Sequence, residues 1–69
     1  MTFSEFVRSV RERKKQTQQE AAESMGLTPS AVSRWEAGAE PKSKHLLRIK
    51  AWSGIAADRL LKLVAEALK

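Results

Sequence analysis

An all-α fold of five helices is what this sequence predicts, on three observations. Residues 17 to 38 read as two short capped helices joined by a tight glycine turn. Apolar residues elsewhere recur at spacings of three and four, and no stretch alternates apolar with polar as a strand would. The 69 residues are enough for one small domain, spanning 1–69, and too few for a second core. There is no cysteine, so disulfides and thiolate metal sites are excluded and stability must come from helix packing, with oligomerisation as a further source.

The elements follow in order. Thr2 and Glu5 have the spacing of a capping box and open a first helix carrying Phe6, Val7 and Val10, expected to run to Lys14 or Lys15. Thr17 and Glu20 repeat that spacing before a second helix whose apolar face is Ala21, Ala22 and Met25, and Gly26 ends it in the left-handed conformation. Thr28 as N-cap and Pro29 at the first helical position start a third helix, with Val32 and Trp35 inward and Gly38 closing it. Ala39 to Lys42 contains Pro41 and lacks periodicity, so it is a loop. Ser43 is the expected N-cap of a fourth helix carrying Leu46, Leu47 and Ile49, which Gly54 ends. A fifth, from about residue 56 to 68, sets Leu60, Leu61, Val64 and Leu68 on one stripe with Leu63 and Ala67 beside it, and Asp58, Arg59, Lys62 and Glu66 on the polar side.

Two helices that cross steeply over a short turn need a residue no larger than Ala at the crossing, a permissive turn residue and an apolar anchor in the second helix. Ala22, Gly26 and Val32 meet these needs. The segment resembles the helix-turn-helix of the phage-repressor family, which includes the Cro and lambda-repressor DNA-binding domains and the XRE-type regulators. That family's usual run maps without gaps onto Gln18, Ala22, Gly26, Val32, Trp35, Glu36 and Gly38. The resemblance implies a compact five-helix, lambda-repressor-like DNA-binding domain over nearly the whole chain, with the helix-turn-helix as helices two and three. It also implies that Arg11 of the first helix pairs with Glu36 at the end of the third, a structural role. Departures from the family pattern are Gln16 in place of an apolar residue, Ala37 in place of a frequent Asn, and Lys50 and Trp52 where Ala is common.

Charge adds a second line of argument. The net charge of +5 favours an anionic partner. Residues 1–16 hold five Lys or Arg against two Glu, residues 17–38 hold Arg34 against three Glu, and residues 39–55 hold four bases against Glu40. Positive charge therefore flanks the helix-turn-helix, where duplex phosphates pass if the third helix enters a major groove. On that helix Thr28, Pro29, Ser30, Ser33 and Arg34 share the outward side and are the candidate base readers. Arg34 has the fork geometry for guanine O6 and N7, the serines can donate or accept, and Pro29 can contact a thymine methyl; a phosphate contact is the alternative for Arg34. Gln18 starts the second helix, where free amides and the dipole favour a phosphate, and the resemblance gives its side chain the same task. Lys42, Ser43 and Lys44 are the next candidates for phosphate or minor-groove contacts, against the alternative of a solvated charge run, and Arg13, Lys14 and Lys15 could point along the DNA or away from it.

Trp35 is expected in the core. Trp52 has two placements: it completes the core between helices four and five, or it forms with Leu63 and Leu68 an exposed patch that meets a second subunit, and the second is preferred because a small domain gains from pairing. His45 is expected on a helix surface, and as the lone imidazole in a chain without Cys it carries no metal. The start MTFSEF and the absence of a long apolar run argue against a signal peptide or membrane span.

The resemblance implies a Cro-like repressor that binds double-stranded DNA at a palindromic operator as a homodimer, which the DNA can help to assemble. The expected setting is the cytoplasm of a bacterial or phage-infected cell. Because the sequence stops after the fifth helix, no further domain of the kind carried by full-length lambda-type repressors is expected. Alternatives are an antitoxin or a restriction-modification controller using the same module, or a helical adaptor that binds a protein through its Leu-rich last helix. No enzyme is expected, since no nucleophile with its base, carboxylate pair or phosphate loop is visible; nor is a cofactor or small-molecule ligand.

Overall fold

A computed structural model describes residues 1–67, which form five α-helices and one 3-10 turn around a single apolar core. The helices are α1 (Phe3–Arg13), α2 (Gln18–Met25), α3 (Pro29–Glu36), α4 (Leu46–Ser53) and α5 (Ala57–Ala67), with the 3-10 turn at Ser43–His45. Both expected capping boxes form. Thr2 Oγ1 accepts the Glu5 amide at 3.2 Å while the Glu5 carboxylate accepts the Thr2 amide at 2.9 Å, and Thr17 with Glu20 repeats this at 3.1 and 2.8 Å. Each box satisfies two of the amides that a helix start leaves without partners.

The core is a layer of α1 residues (Phe3, Phe6, Val7 and Val10) against Ala21, Ala22 and Met25 of α2, Val32 and Trp35 of α3, Ile49 and Trp52 of α4, and Leu60 of α5. Ala21 and Ala22 have no exposed surface, which lets α2 and α3 approach closely. Trp35 receives Phe3 edge-on, with ring centroids 5.9 Å apart. Among the described residues no helix is long and apolar enough to cross a membrane.

Packing corrects several expectations. Ser43 does not cap α4: it opens the 3-10 turn, closed by the His45 amide on the Lys42 carbonyl at 2.8 Å, and α4 begins at Leu46. Thr28 stands at the N-cap of α3, but its hydroxyl lies 3.0 Å from Ser30 Oγ and bonds no amide of the first turn. Leu61 points outward, 58% exposed, because one residue advances the helix by about 100° and Leu60 occupies the core. Half-buried Leu63 and Val64 complete the apolar side of α5 instead. Trp52 is only 7% exposed, so it takes no part in an exposed patch: its ring belongs to the core. Leu68 lies outside the described residues.

Candidate nucleic-acid interface

The interface begins with what holds α3 in place. Val32 and Trp35 seat its inner side in the core. At its end the Glu36 side chain, 2% exposed, is gripped by Arg11 of α1, with Nε 2.7 Å from Oε2 and Nη2 2.9 Å from Oε1. Arg8 adds a third bond at 3.3 Å, and Arg11 Nη1 reaches the Gln16 carbonyl at 3.1 Å, so the same guanidinium ties the turn before α2 to the end of α3. Burial alone would raise the Glu36 pKa, but the hydrogen bonds from Arg11 and Arg8 and the charge of Arg11 outweigh it and hold the carboxylate below the usual range. Glu36 is therefore charged and neutralised in place, and the acidic count of the helix-turn-helix overstates the negative charge that it shows to a ligand.

With the inner side fixed, Thr28, Pro29, Ser30, Ser33 and Arg34 are all exposed. A shallow depression between α3 and the 3-10 turn brings Thr28, Ser30 and Arg34 together with Glu40, Lys42 and His45. Ser43 and Lys44 are exposed beside it but do not line it. Gln18, half-buried, is the first residue of α2; the capping box takes up the amides of Thr17 and Glu20, leaving those of Gln18 and Gln19 for an outside acceptor. Its side chain also lies near enough to Glu36 to help lower that carboxylate's pKa. Lys14 and Lys15 are exposed, whereas Arg13 turns to the end of α4 and donates to the Ser53 carbonyl at 3.4 Å.

Two residues of this region escaped the sequence-based expectations. His45 is half-buried, with its ring 6.1 Å from that of Trp35; burial, then the charges of Lys44, Lys42 and Arg48, lower its pKa. Arg48 of α4 donates from Nη1 to the Met25 carbonyl at 2.9 Å, closing the end of α2. A Cβ on Gly26 would stand 2.7 Å from that same nitrogen. Gly26 thus serves both the left-handed turn, with φ of 70°, and the approach of Arg48. An Arg on the polar side of a helix gives no sequence signal that distinguishes such a cap from a solvated charge.

The family model described as helix-turn-helix matches residues 7–49, more than half of the chain, including all of α2 and α3. The chain belongs to the helix-turn-helix family, XRE type. A curated relative from Bacillus subtilis (strain 168), "Uncharacterized HTH-type transcriptional regulator YqaE", is 39% identical over 61 residues, which cover 87% of this chain and 53% of the relative. The chain thus spans about half the length of the curated relative that it matches. No solved structure matches it.

Within this helix-turn-helix protein, two departures from the family pattern meet each other. The indole Nε1 of Trp52 donates to Gln16 Oε1 at 3.0 Å, and Gln16 Nε2 donates to Ser24 Oγ at 2.9 Å. A Trp carried into the core brings an N–H that needs an acceptor, and Gln16 supplies it. The other two departures, Ala37 and Lys50, are exposed. Among the described residues no group of His, Asp and Glu is placed to hold a metal ion.

Proposed function

We propose that this helix-turn-helix protein is a transcriptional regulator that binds double-stranded DNA sequence-specifically, as a Cro-like repressor dimer on a palindromic operator. The observation that carries the proposal is the exposed polar side of α3 on a fully anchored helix: Val32, Trp35 and Glu36 are buried while Thr28, Pro29, Ser30, Ser33 and Arg34 face outward. A helix presented in this way fits a major groove, with the side chains at its N-terminal end on base edges. Arg34 pairs with a guanine, Ser30 and Ser33 bond base edges, and Pro29 meets a thymine methyl. Gln18 with the amides at the start of α2 takes a phosphate on one side, and Lys42, Ser43 and Lys44 take phosphates on the other. The name of the Bacillus relative, an HTH-type transcriptional regulator, supports the same role. The place of action is the cytoplasm, where the DNA is.

For the second copy, α5 is the proposed contact. Buried Trp52 takes no part; exposed Leu61 presents the apolar surface, and Leu63 is half-buried beside the core. Titrating a labelled duplex from upstream of the gene at several salt concentrations tests the proposal. The account expects log K to fall linearly with log salt, by ~0.9 per phosphate neutralised, and two chains per duplex. A salt-insensitive complex, or none, would leave the protein-adaptor alternative in its place.

A further inference from the structure

Taking DNA binding as proposed, we infer that His45 is a further phosphate contact of the DNA face, one that takes up a proton as the duplex arrives, so that affinity rises as pH falls. The ring lines the shallow depression between α3 and the 3-10 turn, together with Thr28, Ser30, Arg34 and Lys42. Trp35, only 3% exposed, backs it, with ring centroids 6.1 Å apart and planes at 60°. Among the described residues the imidazole nitrogens bond no protein group, and no buried side-chain nitrogen is left without a partner, so they are open to an acceptor from outside. A phosphate oxygen drawn in by Lys42 is such an acceptor.

The charges around the ring set its protonation. Lys44 adjoins it in the turn, Lys42 and Glu40 come from the loop before, Arg34 from α3 and Arg48 from α4. Glu36, the other charged residue of α3, is engaged by Arg11 and Arg8. Burial first, then Lys44, Lys42 and Arg48, hold the imidazolium below its ordinary 6.5, so the free protein carries His45 neutral at neutral pH. Glu40 does not reverse that sign.

A phosphate laid against the ring supplies the missing anion and favours the charged form. The complex then has the higher pKa of the two states. Linkage fixes the direction: affinity climbs as pH falls through the bound value and levels off below the free one. His45 is the lone imidazole of the chain, so replacing it isolates the effect.

Fluorescence anisotropy of the full chain on a labelled upstream duplex and on a random one, followed from about pH 8 to about pH 5.5 at fixed salt, tests this. Affinity should rise about tenfold per chain on both, since both present phosphates, and His45→Gln should flatten the rise. A second measurement needs no variant: NMR titration of the His45 ring protons should give a pKa below 6.5 in the free chain and one about a unit or more higher with saturating duplex. Circular dichroism checks that the fold persists across the range. Affinity that stays flat or falls, a rise that persists in His45→Gln, or one pKa common to both states overturns the inference and leaves DNA binding standing. A rise confined to the upstream duplex makes His45 a base contact and overturns the phosphate assignment. Absence of duplex binding by the parent at every pH removes the DNA reading itself, and this inference with it.

Discussion

Glu36 shows how much one side chain contributes at the junction of three elements. Removing Arg11 leaves its buried carboxylate with Arg8, which is more exposed, as the one cation beside it, so Arg11→Ala should cost about 3 kcal/mol in urea unfolding, toward the lower end for a broken buried pair. Acid should act through the same group. The Glu36 pKa in the fold lies below the ordinary 4.5, so its contribution is complete above that value and is lost as pH falls through the lowered one. Glu5, lowered by the amide and hydroxyl of Thr2, titrates in the same window. Thermal melts of Glu36→Gln should show a shallower decline below about pH 4.5 than the parent; an equal slope would mean that the pair is not formed. His45 loses its contribution in a separate window, below 6.5, because its pKa is also lowered in the fold. The Gln16 and Trp52 pair makes a second residue-scale prediction. Gln16→Leu strands the indole N–H and should cost about 1–3 kcal/mol, and adding Trp52→Phe should return part of that loss. Additive losses would show that the bond contributes nothing. The Arg11–Glu36 pair was legible through family resemblance; the Gln16–Trp52 bond was not, because both residues read there as separate anomalies and nothing in linear spacing brings positions 36 apart together.

Among the elements, the helix ends set the angles. α1, α2 and α3 all finish with the same pair of bonds: Gln16 to Arg11 with Lys15 to Glu12, Leu27 to Ala22 with Gly26 to Glu23, and Ala39 to Arg34 with Gly38 to Trp35. The residue at the left-handed position is Gly26 in α2 and Gly38 in α3, but Lys15 in α1, at φ of 55°. A side chain there costs ~1 kcal/mol or more. Lys15→Gly should therefore stabilise the protein by about 0.5–1 kcal/mol after the added freedom of the unfolded chain is counted, read as a rise in Tm. A fall in Tm would mean that Lys15 makes a contact that offsets the strain. Gly26→Ala should cost about 1–2 kcal/mol from the left-handed turn and the displaced Arg48. Glycines and capping boxes made these boundaries legible in the sequence, since caps are local. The start of α4 was not legible, because a 3-10 turn from Ser43 to His45 leaves no periodicity of its own. The orientation of Leu61 also depended on which residue of α5 the core admits, a tertiary choice.

At the scale of the whole molecule, the outward side of α3 and the exposed run Lys42, Ser43 and Lys44 lie on either side of one shallow depression. Flanking charge around α2 and α3 was visible in the sequence, and so was the candidate base-reading set, because outward phase on a short helix follows from two buried anchors. The burial of Trp52 was not, since nothing local reveals an acceptor for its indole. The central claim is that α3 reads bases while Gln18 and Lys44 hold phosphates, and one comparison tests it most directly. Arg34→Ala, Gln18→Ala and Lys44→Ala are titrated in parallel against the best-binding upstream duplex and against random duplex at one fixed salt concentration. The account predicts that Arg34→Ala loses ~1–3 kcal/mol on the best duplex and much less on random DNA, whereas Gln18→Ala and Lys44→Ala weaken both alike. Equal losses on both duplexes for Arg34→Ala would contradict it.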